Sequence, residues 1–388
     1  MKAVILSGGQ GTRVRPLTYI LPKPMIPIVE RPLISYLFSL LKKHNFLEVI
    51  VTVSYKADVL EDHYQNGEEL GMNIAYSLEG TVKDGEIISQ GLGSAGGLKK
   101  VQNYANFFTE PFLVICGDAI IDLDLTEAME FHKNHNGVAT VICKEIPIDE
   151  VYKYGVVSID KDGLIDSFQE KPKVEEAKSN IINTGIYIFD PIVLDYIPDG
   201  EVFDIGADLL PLLSDLNMPF YASISDFQWI DVGSTADFYK TNMLLLENKI
   251  NNLQPYGKEI KPNIWVGINC NIDFDNIEIE PPIYIGNSVK IENGTKIIGP
   301  TVIGSGSKIE KNVTLEKSIL FNYTNIKEGL KFNHRIITSR YITNPNGGFV
   351  DLDETNMHCL IDDSRKEANI LSEDERELIT IIQSINRD

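Results

Sequence analysis

Two aspartates and a lysine, far apart in the chain, have the residue types and settings that phosphate chemistry needs. Asp118 follows the apolar run 112–116 through Gly117, and Asp231 follows the apolar run 227–230. Each sits where a strand should end, and open α/β sheets collect ligands at those ends. Two carboxylates converging there could hold a hard cation that bridges phosphate oxygens. As isolated residues, aspartates in such settings more often serve as turns or helix caps. Lys23 lies in Pro22-Lys23-Pro24, where the prolines restrict the backbone and aim the ammonium. Ahead of it runs Gly8-Gly9-Gln10-Gly11-Thr12-Arg13, directly after an apolar segment. Glycines let backbone amides approach a phosphate closely. The loop is not a Walker A motif, because no Gly-Lys-Ser/Thr follows, and it lacks the GxGxxG spacing. Alone it reads equally as a strand-to-loop turn. With Arg13 and Lys23 it describes a place where charge growing on a transferring phosphoryl group meets a guanidinium and an ammonium.

Other polar groups suit a hydroxyl-rich ligand. Glu170-Lys171-Pro172 and Asn183-Thr184-Gly185 offer the directional acceptors and donors that neutral sugars require, though both also read as surface turns. The run Gly91-Leu92-Gly93-Ser94-Ala95-Gly96-Gly97 is small enough for a flat base to lie against the backbone, or to act as a hinge before a helix starting near Leu98. Asp122 and Asp124 read as turn or helix-start residues. None of the six histidines is assigned a catalytic role, and His44, His63, His132 and His135 are expected at the surface or on helices.

Positioning these groups falls to an α/β scaffold. Residues 1–250 alternate short β-branched runs with amphipathic stretches, which predicts a Rossmann-like mixed sheet. Strands are expected at 3–6, 49–53, 73–77, 112–115, 138–143, 155–159, 186–189 and 227–230, with a helix over 32–44 and a hairpin turning at Gly163. Over 251–350 the period becomes six: Ile285, Ile291, Ile297, Ile303, Ile309, Leu315 and Phe321 recur with turn formers between them. That is the pattern of a left-handed hexapeptide β-helix, one inward apolar residue per face. Its regular surface and open end predict a homo-oligomer. Residues 351–388 form an acidic extension in which the capping box Ser372-Glu373-Asp374-Glu375 predicts a short helix.

The formal charge of −21 over 388 residues argues against nucleic-acid binding, which needs lysine and arginine to displace counterions. Four widely spaced cysteines without CxxC spacing read as reduced core residues. The N-terminal apolar run is too short for a signal peptide, and no stretch approaches the ~20 apolar residues of a membrane span. A cytoplasmic protein with no membrane partner is expected.

Taken together, Gly8 to Arg13, then Arg15-Pro16-Leu17-Thr18 and Pro22-Lys23-Pro24-Met25, resemble the signature of the sugar-nucleotide pyrophosphorylases. The two-domain layout resembles their mannose-1-phosphate guanylyltransferase branch, in its cyanobacterial form, over nearly the whole chain. The resemblance implies transfer of a nucleotidyl group from GTP to mannose 1-phosphate, giving GDP-mannose and pyrophosphate. Glucose 1-phosphate with UTP, dTTP, ATP or GTP is the alternative, as is a non-catalytic subunit that binds nucleotide-sugar. It implies Mg²⁺ held by Asp118 and Asp231, and catalysis by Arg13 and Lys23. Leu6, Gly8, Gly9, Gly11, Thr12, Gly93 and Ser94 would bind the nucleoside triphosphate. Gly155, Glu170, Lys171, Asn183 and Thr184 would bind the sugar phosphate.

Overall fold

The structure, a computed structural model, describes residues 1–83, 86–366 and Ile381. The helix expected after Ser372 therefore lies outside the described residues except for Ile381. The chain divides into two compact units, each assembled from separate stretches. The first comprises Met1–Gln10, Leu21–Met25 and Leu33–Asp231; the second comprises Gly11–Ile20, Ile26–Pro32 and Val232–Asp388.

A nine-stranded mixed sheet organises the first unit. Lys2–Leu6 lies at its centre, parallel to Glu48–Val53 on one side and Phe112–Cys116 on the other. Ile181–Phe189 runs antiparallel to Phe112–Cys116 and to Ala139–Glu145, and Gly155–Ile159 forms the expected hairpin with Ile165–Glu170. Alternation along the central strands divides the apolar residues between two cores. Ala3, Ile5, Leu113 and Ile115 face one, which the Leu33–Lys43 helix covers with Leu37 and Leu41. Val4, Val114 and Phe112 face the other, against Leu98 and Val101 of the Gly93–Ala105 helix. Two-sided burial explains why these strands read as continuous apolar runs.

His44 and His132 are buried (7% and 4% exposed); His132 lies on the Leu125–Asn134 helix as expected, and His44 just past the Leu33–Lys43 helix. The His132 imidazole Nδ1 lies 2.9 Å from the Thr140 hydroxyl, and its pKa is lowered, burial outweighing the opposing pull of Asp190. The His44 pKa is lowered by burial too, against Asp124. A folded-state pKa below the unfolded value of 6.5 means the stabilising neutral form is fully present above that pH. Stability is then lost as pH falls through the folded value. The urea midpoint is expected to drop between pH 7.5 and 5.5, and His132→Gln should flatten that drop.

The second unit is built on a three-faced β-helix of the left-handed hexapeptide class. Its faces stack Ile285 on Ile303, Ile291 on Ile309 and Ile297 on Leu315, all in one apolar core. The hexad period fails at its last expected position. Leu320, not Phe321, continues the Ile303 column and is followed by Ile337. One residue is lost at the corner, where Lys317 takes φ 43°. Phe321 instead packs against Phe238, with ring centroids 6.0 Å apart. Beyond the coils, Phe349–Asp351 and Ile361–Asp363 add antiparallel strands, and Leu352, Cys359 and Leu360 join the β-helix core. Among the described residues no helix is long and apolar enough to cross a membrane.

Candidate active site

Parallel pairing fixes which loops meet in the first unit. Leu6 lies opposite Cys116 and Thr52, so Ser7, Gly8 and Gly9 leave the sheet beside Gly117 and Asp118. The Gly117 amide donates to Leu6 O (2.8 Å). A side chain at Gly117 has no room: its Cβ would lie 2.1 Å from Ser7 Oγ and 3.0 Å from Leu6 O. Gly117→Ala is therefore expected to push the two loops apart and cost about 1–3 kcal/mol, read as a lower melting temperature.

Asp231 is the last residue of the Trp229–Asp231 strand, not the residue after it, and pairs antiparallel with Ala119. That small second ladder brings it to the backbone position next to Asp118. Lys23 closes the cluster, its ammonium donating to Asp118 Oδ2 at 2.6 Å. The lysine side chain is 11% exposed and the aspartate 34%, so the pair is half-shielded but reachable. Beneath them, the Cys116 thiol is pushed well up by burial, with Asp118 and then Asp231 adding to the shift. Both carboxylates thus act on the same thiol, which stays protonated.

Glu79, which the sequence reading passed over, is buried (6% exposed) between Gly8 and Gly97. It accepts hydrogen bonds from the Thr52 hydroxyl and the Leu92 backbone, and burial raises its pKa. The Thr52 hydroxyl in turn accepts from the Ser7 amide (3.1 Å). This chain ties the glycine loop to the start of the next helix. No local signal singles out Glu79: it follows the Asn73–Leu78 strand, which is only partly buried.

The helix after the small-residue run starts at Gly93, not near Leu98. Gly93 takes φ 73°, and a Cβ there would lie 2.4 Å from Phe203 O. Packing against residues 201–203, not helix propensity, selects Gly93 and Gly96. The Ala95 and Gly96 amides donate to Phe203 O (3.0 Å each). Ser94 Oγ donates to Asp204 Oδ2 (2.7 Å) and accepts from the Ile205 amide (2.8 Å). Asp204, also passed over, further accepts from the Gly206 and Ala207 amides.

Gly155 pairs directly with Glu170, and the Glu170 carboxylate packs near Gly155 and Gly206. Lys171, at φ 46°, reaches Glu170 Oε1 at 2.7 Å, and both side chains are exposed. Asn183 donates to the Tyr187 hydroxyl (2.7 Å) and accepts from the Gly185 amide (2.9 Å). The Thr184 hydroxyl is turned into the sheet, donating to Ile142 O (2.7 Å) beside a β-bulge.

Gly11, Thr12 and Arg13 belong to the second unit. Gly11 takes φ 62° ahead of the Thr12–Val14 turn, which leaves Arg13 exposed, and the Thr18 hydroxyl donates to Gly11 O (3.0 Å).

Among the described residues no cluster of three or more His, Cys, Asp or Glu side chains is arranged around a metal position. Asp118 and Asp231, neighbours in the backbone register, offer hard oxygen donors. That donor set fits Mg²⁺, which commonly takes one or two carboxylates and completes its shell with phosphate oxygens and water.

Comparison with known proteins gives the family. Residues 2–248 match the nucleotidyl transferase family, and residues 282–317 match the bacterial transferase hexapeptide repeat. A UTP–glucose-1-phosphate uridylyltransferase of Synechocystis sp. is 45% identical over 95% of both chains. A mannose-1-phosphate guanyltransferase of Debaryomyces hansenii is 33% identical over 87% of both. Among solved structures, a candidate glucose-1-phosphate thymidylyltransferase from Bacillus anthracis aligns with a TM-score of 0.55 at 23% identity. That alignment covers 66% of this chain and 98% of the other, a likeness of fold.

Proposed function

The chain belongs to the nucleotidyl transferase family and acts on sugar phosphates, and on that premise we propose that its substrates are UTP and glucose 1-phosphate. The observation that carries this pair is the 45% identity to a uridylyltransferase over 95% of both chains. It shifts the choice away from GTP and mannose 1-phosphate, the pair that the sequence motifs had favoured. The guanylyl pair remains the second reading, supported by the 33% identity to the Debaryomyces hansenii relative.

In the proposed reaction a phosphate oxygen of glucose 1-phosphate attacks the α-phosphorus of UTP. The new P–O bond forms as the bond between the α-phosphorus and its bridging oxygen breaks, and pyrophosphate leaves with the electron pair. The attacking phosphate is already ionised at neutral pH, so no general base is needed. Lys23, held 2.6 Å from Asp118 at the strand ends, meets the charge at the α-phosphate. Arg13 meets that of the β- and γ-phosphates. Backbone amides of Gly8, Gly9, Gly11 and Thr12, at the end of the Leu6 strand, cradle the triphosphate. Asp118 and Asp231 would hold Mg²⁺, which would supply positive charge to offset that of the α-phosphate.

On the sugar side, Glu170 accepts from ring hydroxyls in the space beside Gly155, and Lys171 answers the sugar phosphate. Asn183 and Thr184 shape that wall. Gly93 faces the nucleotide, and Ser94 positions it through Asp204.

The test is the kcat/KM of the purified protein for pyrophosphate release, with Mg²⁺, across five nucleoside triphosphates and glucose and mannose 1-phosphates. At least a tenfold preference for UTP with glucose 1-phosphate is expected. Dominance of GTP with mannose 1-phosphate would establish the second reading, and silence from folded protein would point to a nucleotide-sugar-binding subunit without catalysis.

A further inference from the structure

A strained turn lies in the second unit, a few residues along the chain after Lys23. Pro27–Ile28 and Arg31–Pro32 form a minimal hairpin whose two central residues, Val29 and Glu30, take φ 45° and 69°. Such a turn requires positive φ at both positions and selects Asn-Gly or Asp-Gly. A β-branched valine there is an outlier. Strain of this kind persists only where the surroundings over-determine it, and it concentrates at functional sites.

The surroundings are specific. The Val29 amide donates to Asn242 Oδ1 (2.7 Å), and the Asn242 side chain, fully buried, is itself fixed by donating to Phe238 O (2.9 Å). Glu30 reaches the β-helix with both oxygens: Oε1 accepts from the Ser305 amide at 2.6 Å and Oε2 from the Tyr284 hydroxyl at 2.9 Å. Ile26, Ile28 and Val29 are buried. The preceding stretch, Gly11–Ile20, is held in the same unit, with Arg15 O accepting from the Thr235 hydroxyl (3.3 Å) and Val14 and Leu17 fully buried. Both chain ends of Leu21–Met25, the five residues that carry Lys23, therefore emerge from segments fastened to the second unit.

We propose that Glu30 is a positioning residue: by locking the Val29–Glu30 turn onto the β-helix it fixes the segment from which Lys23 reaches the α-phosphate. The β-helix coils bearing Tyr284 and Ser305 are thereby part of the catalytic framework. The catalytic half of this inference rests on the nucleotidyl transfer proposed above; the structural half does not.

Two readouts separate them. Hydrogen exchange across residues 17–25 is expected to accelerate in Glu30→Ala and to return towards wild type in Glu30→Gln, which can still accept from Ser305 and bond Tyr284. Unchanged exchange in Glu30→Ala overturns the anchor whatever the substrates are. In turnover, Glu30→Ala should lower kcat about tenfold with KM values within twofold, and Glu30→Gln should recover most of the loss. In a Lys23→Ala background, Glu30→Ala should cost nothing further; an additive loss means that Glu30 acts elsewhere. Tyr284→Phe, which removes one hydroxyl and keeps the ring, should lower kcat two- to threefold and covers the case in which Glu30→Ala fails to fold; an unchanged kcat there overturns the proposal. A wild-type protein silent with every substrate pair would sink the functional reading and leave the exchange result to decide the anchor.

Discussion

Lys23→Ala is expected to lower kcat by about 10²–10³ while leaving the melting temperature nearly unchanged. The reason is where the charge sits. Lys23 pairs with an aspartate that is one-third exposed, so water takes over much of the pair when the lysine is lost, and pairs of this kind add little stability. Turnover has no such substitute. The ammonium stands at the sheet edge where negative charge would accumulate during transfer, held between Pro22 and Pro24 at no cost of reorganisation. Lys23→Arg should recover only a small part of the rate, because a planar guanidinium cannot occupy the position of a compact point charge. Steady-state kinetics beside thermal melts check both halves. An equal fall in rate and melting temperature would assign Lys23 to structure.

Asp118→Asn and Asp231→Asn are each expected to reduce kcat by about 10³ and to raise the Mg²⁺ concentration needed for half-maximal rate. Their effects should not add. Two carboxylates that hold one cation fail as a unit, and removing the second after the first takes away little more. The register that sets Asp231 opposite Ala119, next to Asp118, is the basis for this expectation. Additive losses in a Mg²⁺ titration of the double variant would mean that the two residues do separate work. Asp118→Asn also removes the carboxylate partner of Lys23, so its loss should exceed that of Asp231→Asn.

Local signals placed much of the scaffold. The central strands are short apolar runs, and the structure has Lys2–Leu6, Glu48–Val53 and Phe112–Cys116 within a residue of expectation, while Ile181–Phe189 begins five residues before the expected 186. The 163 hairpin formed where a glycine turn separates two alternating segments. Hexad counting found the β-helix because each coil repeats the same local demand. It failed at Phe321 because the loss of one residue at a corner is invisible to a fixed period, and only pairing across coils reveals Leu320 as the true successor of Ile303.

The remaining departures share one cause, contact between segments distant in sequence. The helix begins at Gly93 because Phe203, about a hundred residues later, leaves no room for a side chain. The Gly11–Ile20 and Ile26–Pro32 segments group with the β-helix unit, through Asn242, Tyr284 and Ser305 among others, and nothing in their own sequence announces those partners. Glu79 and Asp204 escaped notice for the same reason. Each becomes conspicuous only when the glycine loop and the small-residue helix are seen to converge on it.

The central claim is that the bond to the α-phosphorus of UTP is the one exchanged. A single-turnover reaction with UTP labelled at the α-phosphorus, glucose 1-phosphate and Mg²⁺ tests it directly. The label is predicted to appear in UDP-glucose, to be driven back into UTP by added pyrophosphate, and to do neither in Lys23→Ala on the same timescale. Label recovered in UMP instead, or UTP left intact by folded wild-type protein while no other nucleoside triphosphate reacts, would contradict nucleotidyl transfer at this site.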